Sequence, residues 1–373
     1  MIARSLIKII MLAANLVVVA GFFAAILGSH ISPATIVLPA YFTLTFPLFI
    51  VLNVFFVVFW LIARKFWVLL SLITLFTGAK SINAVFPIHF GKTKTENTQN
   101  SDNKTIKILS YNTMMNGKVE KHNPPKKINP VFEYILNSDA DIICIQEFFV
   151  MKDNYYLTQK DINKLFKAYP YKHIQFDFDN DDRKTGLATF SKYPIIKKEE
   201  IKYKSRFNAS QFSDIVIEND TIRVINNHLE SNRFTGNDLL LAHELKNDFD
   251  TDKLTETTKY LSNKLGIAYR TRARQAVAVR NVIDNTRHRV IVCSDMNDVP
   301  ISYAYTKIKG NLQDAYTIQG NGFGWTFNSS IYKVRIDYIF ADSTFKVSNF
   351  KLGKIRASDH YPIECELEIK KIH

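Results

Sequence analysis

The chain has 373 residues, with 48 Lys and Arg against 35 Asp and Glu, a formal charge of +13. Apolar residues make up 47% and charged residues 22%, which excludes a disordered or collagen-like chain and leaves ample material for one or two cored domains. The charge is split: no acid precedes Glu96, the first ninety residues hold five basic ones, and the remainder has 43 basic against 35 acidic, a net +8.

Residues 9–63 contain no Asp, Glu, Lys or Arg. Two stretches there, 9–27 and 36–61, each reach the roughly 20 apolar residues that a bilayer core demands. A polar turn, Gly28-Ser29-His30-Ile31-Ser32-Pro33, separates them. A third apolar run covers 66–90, broken by Lys80, whose amine is expected to snorkel toward an interface. Residues 1–90 therefore read as an anchor of three transmembrane helices. A cleaved signal peptide fits residues 1–28 less well, because a second apolar stretch follows at once. Arg4 and Lys8 flank the first span and Arg64 and Lys65 follow the second, so both ends are expected in the cytoplasm and the C-terminal domain outside it. Two spans would put that domain inside.

Residues 91–105 are polar, small and aperiodic, and read as a linker. A folded domain is expected over 106–373. Strand-length apolar runs recur at 106–110, 140–145, 187–191, 222–225, 290–293, 336–340 and 363–369. Helices are expected over 127–136 and within 238–284, where Ala273, Ala276, Val279 and Ile283 form one apolar stripe. Arg270, Arg272, Arg274 and Arg280 read as its solvated face, or as contacts to phosphate or membrane. Strands with interspersed helices suggest a layered α/β sandwich. Cys144, Cys293 and Cys365 lie among apolar residues and read as buried small hydrophobes. His173, His243, His288 and His373 read as surface residues, and Phe148-Phe149 as the edge of a core.

Polar residues gather at the strand ends, where loops present side chains from a rigid scaffold. Asn112, Glu147, His228, Asp295 and Asn297 each follow an apolar run, Asp337 stands at the entry of one, and Asp359-His360 precedes the last. Carboxylate and amide oxygens without thiols suit a hard cation such as Mg²⁺. Two histidines among them offer a general acid and a general base. Together these groups fit in-line attack of water at phosphorus. Asp314 with Gly320, Gly322, Gly324 and Trp325 reads as a turn-rich loop able to wall the cleft.

The motifs Ser110-Tyr111-Asn112, Gln146-Glu147, Asn227-His228-Leu229-Glu230-Ser231, Ser294-Asp295-Met296-Asn297, Arg335-Ile336-Asp337-Tyr338 and Ser358-Asp359-His360 occur in the order found in the endonuclease/exonuclease/phosphatase (DNase I-like) superfamily, which the chain resembles over 106–369. The resemblance implies a four-layer α/β-sandwich of two packed sheets. It implies metal ligands Glu147, Asn112 and Asp359, with Mg²⁺ or Mn²⁺ as the ion. Asp295 and Asn297 would orient water and phosphate. Asp337 would fix the tautomer of His360, the general base or a transition-state stabiliser, and His228 would protonate the leaving oxygen or stabilise the phosphoryl oxygens. The usual Gly-Asp-Phe-Asn is Ser294-Asp295-Met296-Asn297 here, which keeps both functional residues. His228-Leu229 resembles the DNase I and sphingomyelinase branch.

The implied function is a membrane-anchored, metal-dependent phosphodiesterase, with a phosphodiester in nucleic acid or a lipid headgroup as substrate. No protein partner is implied. A sphingomyelinase or phospholipase C-like enzyme, an inositol-phosphate phosphatase and an inactive tethered binding module are the alternatives.

Overall fold

A computed structural model describes residues 2–89, 104–117, 129–152, 157–180, 182–205, 208–234, 238, 251–329 and 332–370. The expected linker falls almost wholly outside these residues, as do His243 and His373.

The N-terminal part is helical: α1 (Ile2–Gly28), α2 (Leu38–Leu44), α3 (Phe46–Ile62), α4 (Val68–Thr77) and α5 (Ala79–Val85). Among the described residues α1 alone is both long and apolar enough to cross a membrane unaided. The second and third apolar stretches are bent pairs, α2–α3 at 65° and α4–α5 at 66°. Pro39 and Pro47 stand in the first turns of α2 and α3, where a missing N–H costs nothing. Phe22 packs on Phe46, while Asn15 bonds Trp60, so α1 and α3 run antiparallel. Asn15 bonds Ser71, and a Cβ on Gly78 would meet the Phe22 ring at 2.2 Å, so α4 returns parallel to α1. Chain segments this close need a small residue at the crossing. Asn15 Nδ2 donates to Ser71 Oγ (2.8 Å) and Trp60 Nε1 donates to Asn15 Oδ1 (3.0 Å), so one buried amide ties three helices.

The remainder is built on two six-stranded sheets. Sheet one contains β1 (Thr105–Asn112), β2 (Ile142–Met151), β3 (Tyr171–Asp179), β4 (Arg183–Ser191), β13 (Phe345–Leu352) and β14 (Ile363–Ile369), in the order β13-β14-β1-β2-β4-β3. Sheet two contains β5 (Ile195–Glu200), β6 (Ser210–Ile217), β7 (Asp220–His228), β8 (Arg289–Asp295), β9 (Gln313–Asp314) and β12 (Asp337–Ala341), in the order β5-β6-β7-β8-β12-β9. A short hairpin, β10 (Phe327–Asn328) and β11 (Lys333–Val334), stands apart. The sheets pack face to face through Ile108, Cys144, Val224, Ile291, Cys293, Ile339 and Cys365, all buried. The three cysteines are thus interior apolar groups, as expected. Helices α6 (Pro130–Asn137) and α7 (Gln159–Leu165) belong to the outer side of sheet one, where Phe132, Ile162, Phe148 and Phe190 form a second core. On the outer side of sheet two, α8 (Thr251–Asp284) and α9 (Tyr303–Lys309) bury Ala276, Val279, Ile283 and Ile308. Helix–sheet–sheet–helix is the expected four-layer sandwich. A last short helix, α10 (Ala315–Gln319), leads toward the hairpin.

Two expectations are corrected. Arg272 is not on a solvated face: it is fully buried, with Nε on Asp298 Oδ2 (3.1 Å) and Nη1 on the Glu230 carbonyl (2.8 Å). A helical arginine at an inward position can be buried when its guanidinium is paired and hydrogen-bonded. His173 is also buried, on β3 with Nδ1 at 3.0 Å from Ser213 Oγ, because an inward position on a strand decides burial more than residue type does.

The helical part docks on the sandwich. Tyr41 OH donates to the Ser262 carbonyl (2.7 Å) and its ring meets Tyr269 edge-on. Arg335 Nη2 donates to the Ala84 carbonyl (2.6 Å), and Gly322 N to the Pro87 carbonyl (2.9 Å). Ile301 adopts φ 65°, a rare conformation for a β-branched residue, and packs against Phe22, Ala25, Phe46 and Val85.

Candidate active site

The strand ends of both sheets converge at one edge of the sandwich. β1 ends at Asn112 beside Gln146 of β2, and β7 ends at His228 beside Asp295 of β8. Asp337 opens β12 directly opposite Asp295. The pairing register alone therefore gathers residues far apart in sequence. Below them, Gln146 Nε2 donates to Asn226 Oδ1 (2.7 Å) across the inter-sheet gap, and Asn226 Nδ2 donates to the Ala188 carbonyl (3.1 Å). This buried amide bridge locks the two sheets in relative position under the cleft.

Asn112 Nδ2 donates to Asp295 Oδ2 (2.8 Å) and Glu147 Oε1 (3.2 Å), while its Oδ1 accepts from Met114 N (3.0 Å). His228 Nε2 lies 3.8 Å from Glu147 Oε1 and 3.7 Å from Asp295 Oδ2. On the other side, His360 Nε2 lies 3.8 Å from Asp295 Oδ2, and His360 Nδ1 lies 2.9 Å from Asp337 Oδ2. Asp295 thus sits between the two imidazoles. Asn297 N donates to Asp295 Oδ1 (2.9 Å), and Asn297 Nδ2 to the Leu229 carbonyl (3.0 Å). Ser358 Oγ donates to the Asn112 carbonyl (2.9 Å) and accepts from His360 N (3.1 Å), which holds the Asp359-His360 turn against β1. All eight residues expected from the sequence come together.

Two of them occupy left-handed backbone. Glu147 has φ 51° and Asn297 φ 50°. For Glu147 the cause is a bulge: β2 shifts register against β4 between Ile145 and Phe148, which re-aims the carboxylate into the cleft. Non-glycine residues keep such angles where the surroundings over-determine them, most often at working sites.

The electrostatics are those of crowded buried acids. Burial pushes the Asp295 carboxyl above its usual range, with Asp337 adding to the push and both imidazoles opposing it. Burial also raises Asp359, with Glu147 contributing and His360 opposing. Burial works against charge on His360, but Asp337 and Asp295 outweigh it and push that imidazole up to about 10. In that charged form Nδ1–H donates to Asp337 and Nε2–H faces the cleft.

The sequence reading missed two groups. Asp177 on β3 interacts electrostatically with His228 and Glu147, and burial raises its carboxyl to about 6. The only signal in the sequence is an acid between Phe176 and Phe178. Arg272, already described, holds Asp298 and the backbone just after His228 and Leu229, so it positions both loops that flank Asp295.

A hard cation fits this cluster. The side chains that meet are oxygen donors or imidazoles, and several buried like charges lack enough cationic partners. Asp295, Asp337 and His360 bring donor atoms within 4.8 Å of one another. Glu147, 32% exposed, opens to the cleft and touches Asn112. Oxygen ligation by Asn112 requires its amide to turn over and release Met114 N.

Residues 109–360 match the model of the Endonuclease/Exonuclease/phosphatase family. The chain belongs to this family. It is accordingly a phosphoester hydrolase, of a family that generally uses divalent metals. Residues 7–85 match a separate model, a domain of unknown function. No curated protein matches the chain. Among solved structures, an endonuclease/exonuclease/phosphatase family protein from Leptotrichia buccalis is 19% identical with TM-score 0.48, covering 70% of this chain and 99% of its own. The human Nocturnin catalytic domain with bound sulfate is 17% identical with TM-score 0.48, covering 71% and 97%. A family member from Bacteroides vulgatus is 15% identical with TM-score 0.47, covering 72% and 100%.

Proposed function

We propose that this family member is a membrane-anchored phosphodiesterase, dependent on Mg²⁺ or Mn²⁺, with its catalytic domain outside the cytoplasm. The observation that carries the catalytic reading is Asp295 set between two imidazoles, one of them held by Asp337. Glu147, Asp359 and, after its amide turns, Asn112 would hold the cation, which when bound supplies positive charge to the phosphoryl oxygens. Asp295, oriented by the Asn297 N–H and Asn112, takes the proton of the attacking water. His360, protonated at neutral pH by its carboxylate neighbours, donates to a phosphoryl oxygen and stabilises the charge that builds there. His228 faces Glu147 and Asp295 from the other side and gives a proton to the leaving oxygen. Bond making and breaking are in line, with water entering on one side of phosphorus and the alcohol leaving on the other.

The membrane reading rests on the bundle. Arg64-Lys65 joins α3 to α4 at the end where α1 begins, and the sandwich docks where α1 and α5 finish. Counting each bent pair as one span gives three crossings with the basic loop opposite the catalytic domain, the arrangement that the positive-inside rule favours. For the substrate, a +8 soluble part suits a polyanion. A lipid headgroup is the second reading, favoured by Phe323 and Trp325. These rings stack at 5.6 Å, are 38% and 42% exposed, and adjoin Phe86 at the end of the anchor.

Ile301 and Arg335 pack on the helices, so the sample to assay is the full chain in detergent. Cleavage of plasmid DNA, sphingomyelin, and mono- and diester nitrophenyl phosphates is measured with Mg²⁺ or EDTA. Metal-dependent diester cleavage that His360→Ala abolishes is expected. Turnover of the monoester alone would select a phosphatase, and no turnover or metal binding would select the binding module.

A further inference from the structure

The seam between the helical bundle and the sandwich contains a cavity of about 270 Å³. Its lining shares no residue with the carboxylate cluster: Lys80 from α5 and Lys309 from α9 line it, with His30 and the hydroxyls of Ser81, Thr306 and Thr317. No acidic side chain lines it. Among the described residues neither lysine forms an ion pair, and Lys309 Nζ reaches only the Gly310 carbonyl at 3.4 Å. The acid that acts on Lys309 is Asp314, and its Oδ2 is already committed to Arg335 Nη1 and Tyr305 OH (each 2.9 Å). Burial pulls the Lys309 amine below its ordinary value, and the Lys80 charge pulls it further. A second cavity of about 400 Å³ shares Ser29, His30 and Thr306 and adds Arg280, Tyr303 and Lys307, with Asp284 already bonded to Arg280.

Two lysines that repel each other, Lys309 half-buried and Lys80 at the mouth, surrounded by hydroxyls and lacking acids, form a receptor for an anion with several oxygens. We propose that this seam cavity binds a phosphate group, supplied by the headgroup of an anionic phospholipid. The position argues for that source. The cavity opens where α1 ends at Gly28 and α5 begins, at the boundary between the apolar helices and the polar sandwich, which is headgroup depth for a bundle that crosses the bilayer. A bound headgroup would place one shared anion between Lys80 and Lys309, relieve their mutual repulsion and so fasten the catalytic domain to its anchor. The lipid source rests on the membrane placement proposed above, whereas the phosphate chemistry does not.

The test reads binding rather than hydrolysis, so it stands apart from the catalytic reading. The full chain in detergent is offered phosphatidylglycerol or phosphatidylcholine and examined by native mass spectrometry. Inorganic phosphate is titrated separately by calorimetry. Phosphatidylglycerol is expected to be retained about tenfold or more over phosphatidylcholine, and Lys80→Gln/Lys309→Gln to erase that preference, given roughly 1 kcal/mol per basic residue at an anionic surface. Lys309→Arg keeps the charge and is expected to keep the preference. The double variant should hydrolyse a soluble diester at the native rate, which shows it is folded. Binding of inorganic phosphate, lost in the double variant but without lipid preference, would assign the site to free phosphate and overturn the lipid source. Equal retention of both lipids with no phosphate binding overturns the proposal.

Discussion

Two of the polar clusters among the described residues are built on opposite terms. In the helical bundle, Asn15, Ser71 and Trp60 are neutral and satisfy one another. In the catalytic domain, Glu147, Asp295, Asp337 and Asp359 crowd like charges around two imidazoles. An apolar solvent tolerates a polar group only when every bond is made internally. A catalytic cleft keeps charge in reserve for a ligand and accepts the loss of stability. The first cluster is glue, and the second is stored repulsion.

The largest expected effect probes the second cluster. Glu147→Gln should lower metal-dependent diester hydrolysis by about 10³-fold or more, at the scale of losing a group that anchors the reacting charge. Thermal unfolding of the same variant without metal should stay level or rise, since one like charge is gone. A clear drop in stability would show that Glu147 is structural. Next comes Arg272→Met, which leaves the Asp298 carboxylate buried without its partner and should destabilise the sandwich by about 3–5 kcal/mol in denaturant titration. Unchanged stability would mean that the Arg272 contacts are incidental.

Asn15→Leu probes the first cluster. It removes both bonds of the triad and should weaken helix association by about 1 kcal/mol. Hydrolysis of a soluble diester should not change, and lost activity would break the division between glue and stored charge. The smallest effect concerns His173. Burial holds it near pKa 4, below the ordinary 6.5, so its neutral form is the one that stabilises the fold. That contribution is complete above pH 6.5 and is lost as pH falls toward 4, about 1 kcal/mol at pH 5.5 after allowing for partial exposure. His173→Gln should flatten stability across that window, read by thermal unfolding at stepped pH.

All seven strands expected from apolar runs are present, because fully buried strands are legible as runs. β3, β5, β6, β13 and the two-residue β9, β10 and β11 were not, since Lys197, Lys198, Glu199 and Glu200 on β5 face solvent, β3 and β13 mix polar and apolar residues, and the buried β6 opens on Ser210, Gln211, Ser213 and Asp214, which break its run. Every expected site residue converges, because each sits at a strand end and register does the rest. Asp177 was hidden because a lone acid on an edge strand carries no mark, and Arg272 because helical charge ordinarily faces water. The docking of the bundle was also unreadable: Ile301, Tyr41 and Arg335 are unremarkable letters until the two halves meet.

The pairing of β1 with β14 has a consequence for biogenesis. Thr105 opposes Glu368, and β1 lies between β14 and β2 in the middle of sheet one. The first strand made therefore waits for the last before the sheet closes. His360 and Asp359 also arrive only with the end of the chain. Synthesis runs from the N-terminus at roughly 5–20 residues per second, so the helical bundle is made well before the cleft can form. A chain whose last strand is still to be made holds no assembled hydrolase, so the activity arises only once synthesis of the domain is complete.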